Sequence, residues 1–294
     1  MKAKKRRHRL TPYLYIAPSF LVYLIFILIP LACAIIFSFT NYKMQNLRFV
    51  GLNNYLRLFR DDVFQKALLN TLVYSFFVVA INLVLGLVVA AVIAEGWFRF
   101  GKFCRTIFYI PYIISAIAAS MIWLYMYDST DGVINHVLNA LGFMGKDWLL
   151  DEHLAMPCLI FMGIWQGMGY CLVVYFSALQ GIPRYLYEAA EIDGASKIKQ
   201  FFKISVPMLS STTFFLLVMT MIASFQVFAQ IITMTGGGPL NTTTTIAHQV
   251  YINAFQKNYM GYATSQAVVL FLIVLVITLV FFRYGNKEGD AELD

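Results

Sequence analysis

Charge is scarce in this 294-residue chain: Asp, Glu, Lys and Arg make up 13% of it, against 60% hydrophobic residues. A soluble domain carries roughly a quarter charged residues, so the composition points to a membrane protein before any motif is read. Cysteine is scarce too. Cys33, Cys104, Cys158 and Cys171 form no CxxC pair, and three of them fall in apolar runs, which excludes a disulfide framework and leaves packing as their role. The histidines are scattered without HExxH spacing, so neither a metal nor a cofactor is expected. A Walker loop is missing as well: Gly101-Lys102 is followed by Phe103, and Gly145-Lys146 by Asp147. Such a loop cradles nucleotide phosphates with backbone N–H groups and a lysine, so this chain is expected to be no ATPase.

The apolar residues gather in six runs, near 13–39, 68–94, 107–127, 154–180, 208–234 and 262–282. Each reaches the length of about 20 residues that a helix needs to cross a bilayer. None carries an ionisable side chain deep inside. Secondary carriers commonly place Asp, Glu, His or Arg there, because such groups are costly in hydrocarbon and kept for function. That absence weighs against a carrier, although sodium sites built from carbonyls and hydroxyls keep the alternative open. The first run has the basic start of a signal peptide and a "LACA" at 31–34, but its apolar stretch outlasts a signal core of 7–15 residues and is expected to remain as a span.

Orientation follows from basic residues in the connections. Lys2, Lys4, Lys5, Arg6, Arg7 and Arg9 precede the first run, and Arg99, Lys102 and Arg105 lie between the second and third. Arg184, Lys197, Lys199 and Lys203 lie between the fourth and fifth, and Arg283 and Lys287 follow the sixth. An even number of spans with these connections inside places both termini in the cytoplasm. The basic start is read as a topology signal or a contact with anionic lipid, not as a nucleic-acid site. Residues 50–62 set Tyr55, Leu56 and Phe59 at helical spacing, which predicts a short interfacial helix. Residues 236–245, "GGGPLNTTTT", read as a linker.

The charges that do exist concentrate in "YEAAEIDGASKIKQFFKISVPML", residues 187–209. Tyr185, Ala189 and Ile192 give one apolar face opposite Glu188 and Glu191. Asp193-Gly194 is a turn dipeptide. Ile198, Phe201, Phe202 and Ser205 then make a second face, and Pro207 opens the next span. The segment predicts a helix, a turn and a helix at the cytoplasmic surface, and by itself suits either a headgroup layer or a protein partner.

Its residue order decides between them. Glu188-Ala189-Ala190, three residues, Gly194, nine residues, then Ile204-Ser205-Val206-Pro207 resembles the EAA loop of ABC importer permeases. The family pattern has Leu where Val206 stands, a conservative departure. "FVGLNNY" after the first run, "ALLNTLVYS" leading into the second and "TGGGPLNTTTT" after the fifth resemble the carbohydrate-uptake branch, so the likeness covers nearly the whole chain. The resemblance implies an all-α, type I ABC importer permease fold of six transmembrane helices in a bacterial cell membrane. Its parts would be a basic segment 1–12, a first span 13–39, an outer connection 40–67, a permease core 68–282 and a tail 283–294. It implies ATPase coupling through Glu188, Ala189, Ala190, Asp193, Gly194, Ala195, Ile204 and Pro207. It also implies partners: a cytoplasmic ATPase dimer, a second permease and an extracytoplasmic sugar-binding protein.

The fourth run holds Trp165, Gln166, Gly167 and Tyr170 midway, and the fifth holds Thr220, Ser224, Gln226, Phe228 and Gln230. Rings beside amides and hydroxyls suit a sugar, which offers a C–H face and many hydroxyls. Each residue alone also suits helix packing, and the resemblance places the sugar contacts of such permeases on these two spans. The expected function is the translocation pathway for a sugar or oligosaccharide. The alternatives are another solute, such as a glycerol phosphate ester or a polyamine, and a stand-alone carrier or channel.

Overall fold

The computed structural model describes residues 2–43, 47–95 and 101–289, with side chains for 13–43, 47–95, 101 and 103–283. The basic side chains of residues 1–12, Arg99, the Lys102 side chain and the side chains of the tail from 284 onward lie outside the described residues. The chain divides into two compact units, residues 1–61 with 250–269, and residues 62–249 with 270–294.

In the first unit, α1 (Lys2–Tyr23), a π turn (Leu24–Leu28) and α2 (Ile29–Ser38) carry the first apolar run as one helix. The short helix expected at 50–62 is α3 (Asn53–Leu58). Its own residues close the preceding span. Asn54 Nδ2 donates to the carbonyls of Ser38 and Thr40 at 2.8 and 2.9 Å, and the Tyr55 hydroxyl meets Ser38 Oγ at 2.6 Å. A helix ends with carbonyls that lack intrahelical partners, and the "NNY" of the motif supplies them. The Tyr262 hydroxyl donates to Asp61 at 2.6 Å, and the Arg57 guanidinium lies 4.3 Å from the Tyr262 ring centre.

The second unit is built around α4 (Asp62–Ala94) and α8 (Ala155–Gly181), two long helices in extended contact. Glycines make the approach close. A Cβ at Gly86 of α4 would stand 2.6 Å from Cys171 Cβ and 3.1 Å from the Cys171 and Leu172 backbone. A Cβ at Gly169 would collide with the Phe108 carbonyl oxygen of α5 (Gly101–Ile113). Small residues at such crossings let helices gain dispersion contact where hydrocarbon offers no hydrophobic driving force. Two apolar clusters fill the joints. One joins Val78, Trp123, Leu159, Met162 and Ile231; the other joins Ala90, Leu172, Tyr175, Leu209 and Leu216.

Four described helices are long and apolar enough to cross a membrane, and six spans result if each of two bent pairs counts as one. The bends are departures from the straight rods that the apolar runs suggested. Residues 107–127 form α5 and α6 (Ala116–Met126), which meet at 99°. Pro111 removes one hydrogen bond from α5, and Ser115 takes an extended ψ of 134°. The fifth run is interrupted twice. After α9 (Arg184–Ile192), α10 (Lys197–Gln200), a π turn (Phe201–Ser205) and α11 (Val206–Met208), the chain bends by 65° into α12 (Ser210–Phe225). It then leaves the helix at 226–228 and resumes as α13 (Ala229–Met234). The remaining helices are α7 (Val133–Ala140), α14 (Ile246–Tyr251), followed by a π turn (Ile252–Gln256), and α15 (Met260–Gly289).

The "linker" after α13 is packed structure instead. Thr243, Thr244 and Thr245 are each fully buried. Thr243 Oγ1 donates to the Gly238 carbonyl at 2.7 Å, Asn70 Nδ2 donates to the Thr244 carbonyl at 2.9 Å, and Lys66 Nζ reaches the Leu240 carbonyl at 2.9 Å. Hydroxyls that satisfy backbone groups let an irregular segment be buried.

Substitution at the crossings tests this packing. Gly86→Val and Gly169→Val are expected to lower the thermal midpoint of the detergent-solubilised protein, at a cost of about 1–3 kcal/mol each. Gly181→Ala, where a Cβ would meet nothing within 4 Å, is expected to leave it unchanged.

Candidate functional site: a neutral cavity and an exposed loop

A cavity of about 540 Å³ opens beside the helix breaks of the second unit. That volume falls within the range of small-molecule sites. Gln166, Gly167 and Tyr170 of α8 line it, with Thr220 and Ser224 of α12, Gln226 and Phe228 of the break, and Gln230 of α13. Eight of the nine residues singled out in the fourth and fifth runs therefore share one wall. Trp165 does not; its ring packs edge-on against Trp123 at 5.5 Å within the apolar cluster. No charged side chain is among the lining residues.

Tyr74 and Asn82 of α4 and Tyr112 of α5 also line the cavity, and sequence reasoning passed over them. A signal existed: Tyr74, Val78 and Asn82 fall at i, i+4 and i+8, on one face of an apolar helix. The Tyr112 and Tyr170 rings stack with centres 5.0 Å apart and planes within 17°, presenting a paired aromatic surface.

A chain of hydrogen bonds ties three helices and the bend between α5 and α6 together. The Tyr74 hydroxyl donates to Gln230 Oε1, Gln230 Nε2 donates to Gln166 Oε1 at 3.0 Å, and Gln166 Nε2 donates to the Ile114 carbonyl at 3.2 Å. That last acceptor is a carbonyl freed by the bend between α5 and α6. Thr245 Oγ1 likewise reaches the Val227 carbonyl, freed by the break after α12, at 3.0 Å. Thr220 and Ser224 turn their hydroxyls to carbonyls of their own helix at 2.6 and 2.9 Å.

The second candidate region is the charged loop. α9 ends in a Schellman motif: the Ala195 N–H donates to the Ala190 carbonyl at 2.9 Å, and the Gly194 N–H to the Glu191 carbonyl at 3.0 Å. Gly194 adopts φ +73°, a conformation that glycine takes without strain, and its surroundings are open. Tyr185 and Ile192 are 65% and 88% exposed, so the predicted apolar face of α9 has no cover among the described residues. Glu188, Ala189, Asp193 and Pro207 are exposed as well, and Ala190, Ala195 and Ile204 half-buried. Leu186, Tyr187 and Ile204 anchor the loop on the cluster around Leu172 and Leu209.

The residues of the second predicted face, Ile198, Phe201, Phe202 and Ser205, line one groove together. Ile198 and Phe202 are exposed, Phe201 is half-buried and Ser205 is buried. A π turn runs over Phe201–Ser205. Lys197 Nζ lies 2.6 Å from Glu191 and 3.8 Å from Glu95 at the end of α4. Its hydrogen bond holds the Glu191 carboxyl below the usual carboxylate range, and the two carboxylates push the Lys197 ammonium upward. All three groups are solvent-exposed, where such pairs contribute little stability.

A polytopic helical chain with a neutral cavity at its helix breaks and an anchored, exposed loop fits a membrane transport subunit. It belongs to the family of binding-protein-dependent transport system inner membrane components, matched over residues 82–286. It is 36% identical to the probable ABC transporter permease protein YurN of Bacillus subtilis over 291 residues, which cover 96% of this chain and 99% of that protein. It is 35% identical to UgpA, an sn-glycerol-3-phosphate transport system permease protein of Escherichia coli, over 96% of each chain. A bacterial ABC transporter involved in importing the acidic polysaccharide alginate superposes with a TM-score of 0.87 at 25% identity, over 98% of this chain and 99% of that one. In complex with an alginate pentasaccharide-bound periplasmic protein, the alginate ABC transporter matches with a TM-score of 0.84 at 25% identity, over 95% and 94% of the two chains. The protein is a multi-pass inner-membrane permease subunit of an ABC importer with the type I fold.

Gln230→Leu would leave the Tyr74 hydroxyl and the Gln166 amide without their partner. The expected cost is about 1–3 kcal/mol, read as a fall in thermal midpoint. Adding Tyr74→Phe is expected to return part of it. Additive losses in the double variant would mean that the two side chains act independently.

Proposed function

We propose that this chain forms the pathway for a neutral sugar or oligosaccharide. In this reading it works with a second permease, a cytoplasmic ATPase dimer and an extracytoplasmic sugar-binding protein, with both termini in the cytoplasm and lipid around its spans. The charge-free lining of the cavity carries the substrate reading. An anionic solute would be held best by arginine or lysine, and the cavity offers amides, hydroxyls and stacked tyrosines instead. Kinship with UgpA favours a phosphate ester as the second reading. Excess sn-glycerol 3-phosphate should not compete with sugar uptake under the first reading, and should under the second.

The loop carries the coupling reading. The chain has no Walker loop and catalyses nothing itself; ATP hydrolysis falls to the partner. An exposed apolar face on α9, bounded by Glu188 and closed by the turn at Gly194, suits the groove of a soluble motor protein. Glu188, Ala189, Ala190, Asp193, Gly194 and Ala195 would contact the motor. Ile204 and Pro207 would pass its displacement to α12. A short, well-anchored element linked covalently to two spans transmits force as a rigid-body rocking motion.

Gly194→Trp is expected to leave membrane insertion intact and abolish ATP-driven uptake, because the φ of +73° is strained for any side chain but glycine and the indole would fill the docking face. The check is uptake into proteoliposomes containing the whole importer, alongside recovery of the ATPase with the tagged chain. Normal uptake with normal recovery would remove the docking reading.

A further inference from the structure

Among the described residues of the cavity wall, one buried side-chain polar atom has no hydrogen-bond partner. Asn82 lies within α4, 2% exposed, and its Oδ1 accepts no hydrogen bond. Five other polar side chains of the wall have partners: Tyr74, Gln230 and Gln166 form their chain, and Thr220 and Ser224 bond to backbone carbonyls. Buried polar atoms without partners are rare in folded proteins, and each calls for an explanation.

Packing does not supply one. The Asn82 amide nitrogen sits over Gly167, where a Cβ would stand 2.5 Å from Nδ2. The place is shaped to the side chain, yet a leucine of similar size would fill it without an unpaired acceptor. An amide here is useful only when a donor arrives. The terminal torsion of asparagine is broad, so rotation brings the oxygen round to the cavity that the residue already lines. Gly167, with no side chain, leaves room for that rotation.

We propose that Asn82 is a binding residue for the transported solute, its Oδ1 accepting a hydrogen bond from a sugar hydroxyl. The assignment rests on the sugar-transport reading above and adds a contact from α4 to those expected from α8 and α12. It also gives the wall a means of selection. A site built to bond a hydroxyl rejects an analogue that lacks it more strongly than an apolar wall does.

The test uses the complete importer in proteoliposomes at saturating binding protein, so that capture outside the membrane does not set the rate. Maltose, trehalose, raffinose and cellotriose are the probes, followed by each monodeoxy analogue of the sugar that wild type takes up. One analogue is expected to move about tenfold more slowly than its parent in wild type. Asn82→Leu is expected to carry parent and analogue at the same reduced rate, with the thermal midpoint of the sugar-free complex unchanged or raised. Should that variant fail to assemble, Asn82→Ala, smaller on every side, carries the same expectation for the rates. Undiminished discrimination in the variant, or a lowered midpoint in Asn82→Leu, overturns the assignment while leaving sugar transport in place. Uptake of none of the four sugars by wild type overturns the sugar reading, and the assignment falls with it.

Discussion

A backbone N–H or carbonyl left without a partner in hydrocarbon costs several kcal/mol, so irregular backbone at membrane depth persists only where protein or water meets its needs. This constraint organises the second unit. Its apolar runs break between α5 and α6 and again between α12 and α13, and at each break a freed carbonyl is met by a side chain. Gln166 serves Ile114, and Thr245 serves Val227. Tyr112 and Ala116 flank the first break, residues 226–228 form the second, and all of them line one cavity. Gln166, which makes the first break tolerable, is also one of the groups that make the cavity polar. In the first unit Asn54 performs the corresponding service for the end of α2.

Close packing links the cavity and the loop. The contacts at Gly86 and Gly169 hold α4, α5 and α8 at distances that no side chain would permit. A wall so packed moves as a body and does not deform continuously. The loop is seated on the same helices through Leu186, Tyr187 and Ile204, and Lys197 reaches Glu95 at the end of α4. Under the proposed coupling, a displacement delivered at α9 would reach helices that line the cavity without a long flexible path between.

The spans and the charged loop were legible in the sequence because both are written in composition and spacing. A run of twenty apolar residues has few other uses, and the order Glu188, Ala189, Ala190, Gly194, Ile204 and Pro207 spans one short segment. The polar face of the fourth and fifth runs was legible for the same reason, since amides and rings stand out against leucine and valine. Trp165 shows the limit of that contrast: an indole suits an apolar cluster as well as a pathway, and only the rotation of α8 decides.

What stayed hidden depended on partners far along the chain. Nothing at 226–228 resembles a helix breaker; the interruption is tolerated because Thr245 waits some eighteen positions later. The threonine-rich stretch looked like a linker because its hydroxyls are polar by type, yet they spend that polarity inside the protein. The π turn at 201–205 was hidden as well, since no periodicity reveals it in advance.

The claim on which the rest depends is that the charge-free cavity at the helix breaks is the route of the solute. Single cysteines at Thr220 and Ser224, in a chain whose four native cysteines have been replaced, test it through labelling with a membrane-impermeant thiol reagent in the assembled importer. The account predicts labelling from one side of the membrane without ATP and from the other with ATP trapped, and protection by the transported sugar in both. Labelling that ignores both nucleotide and sugar, or no labelling in either state, would contradict it.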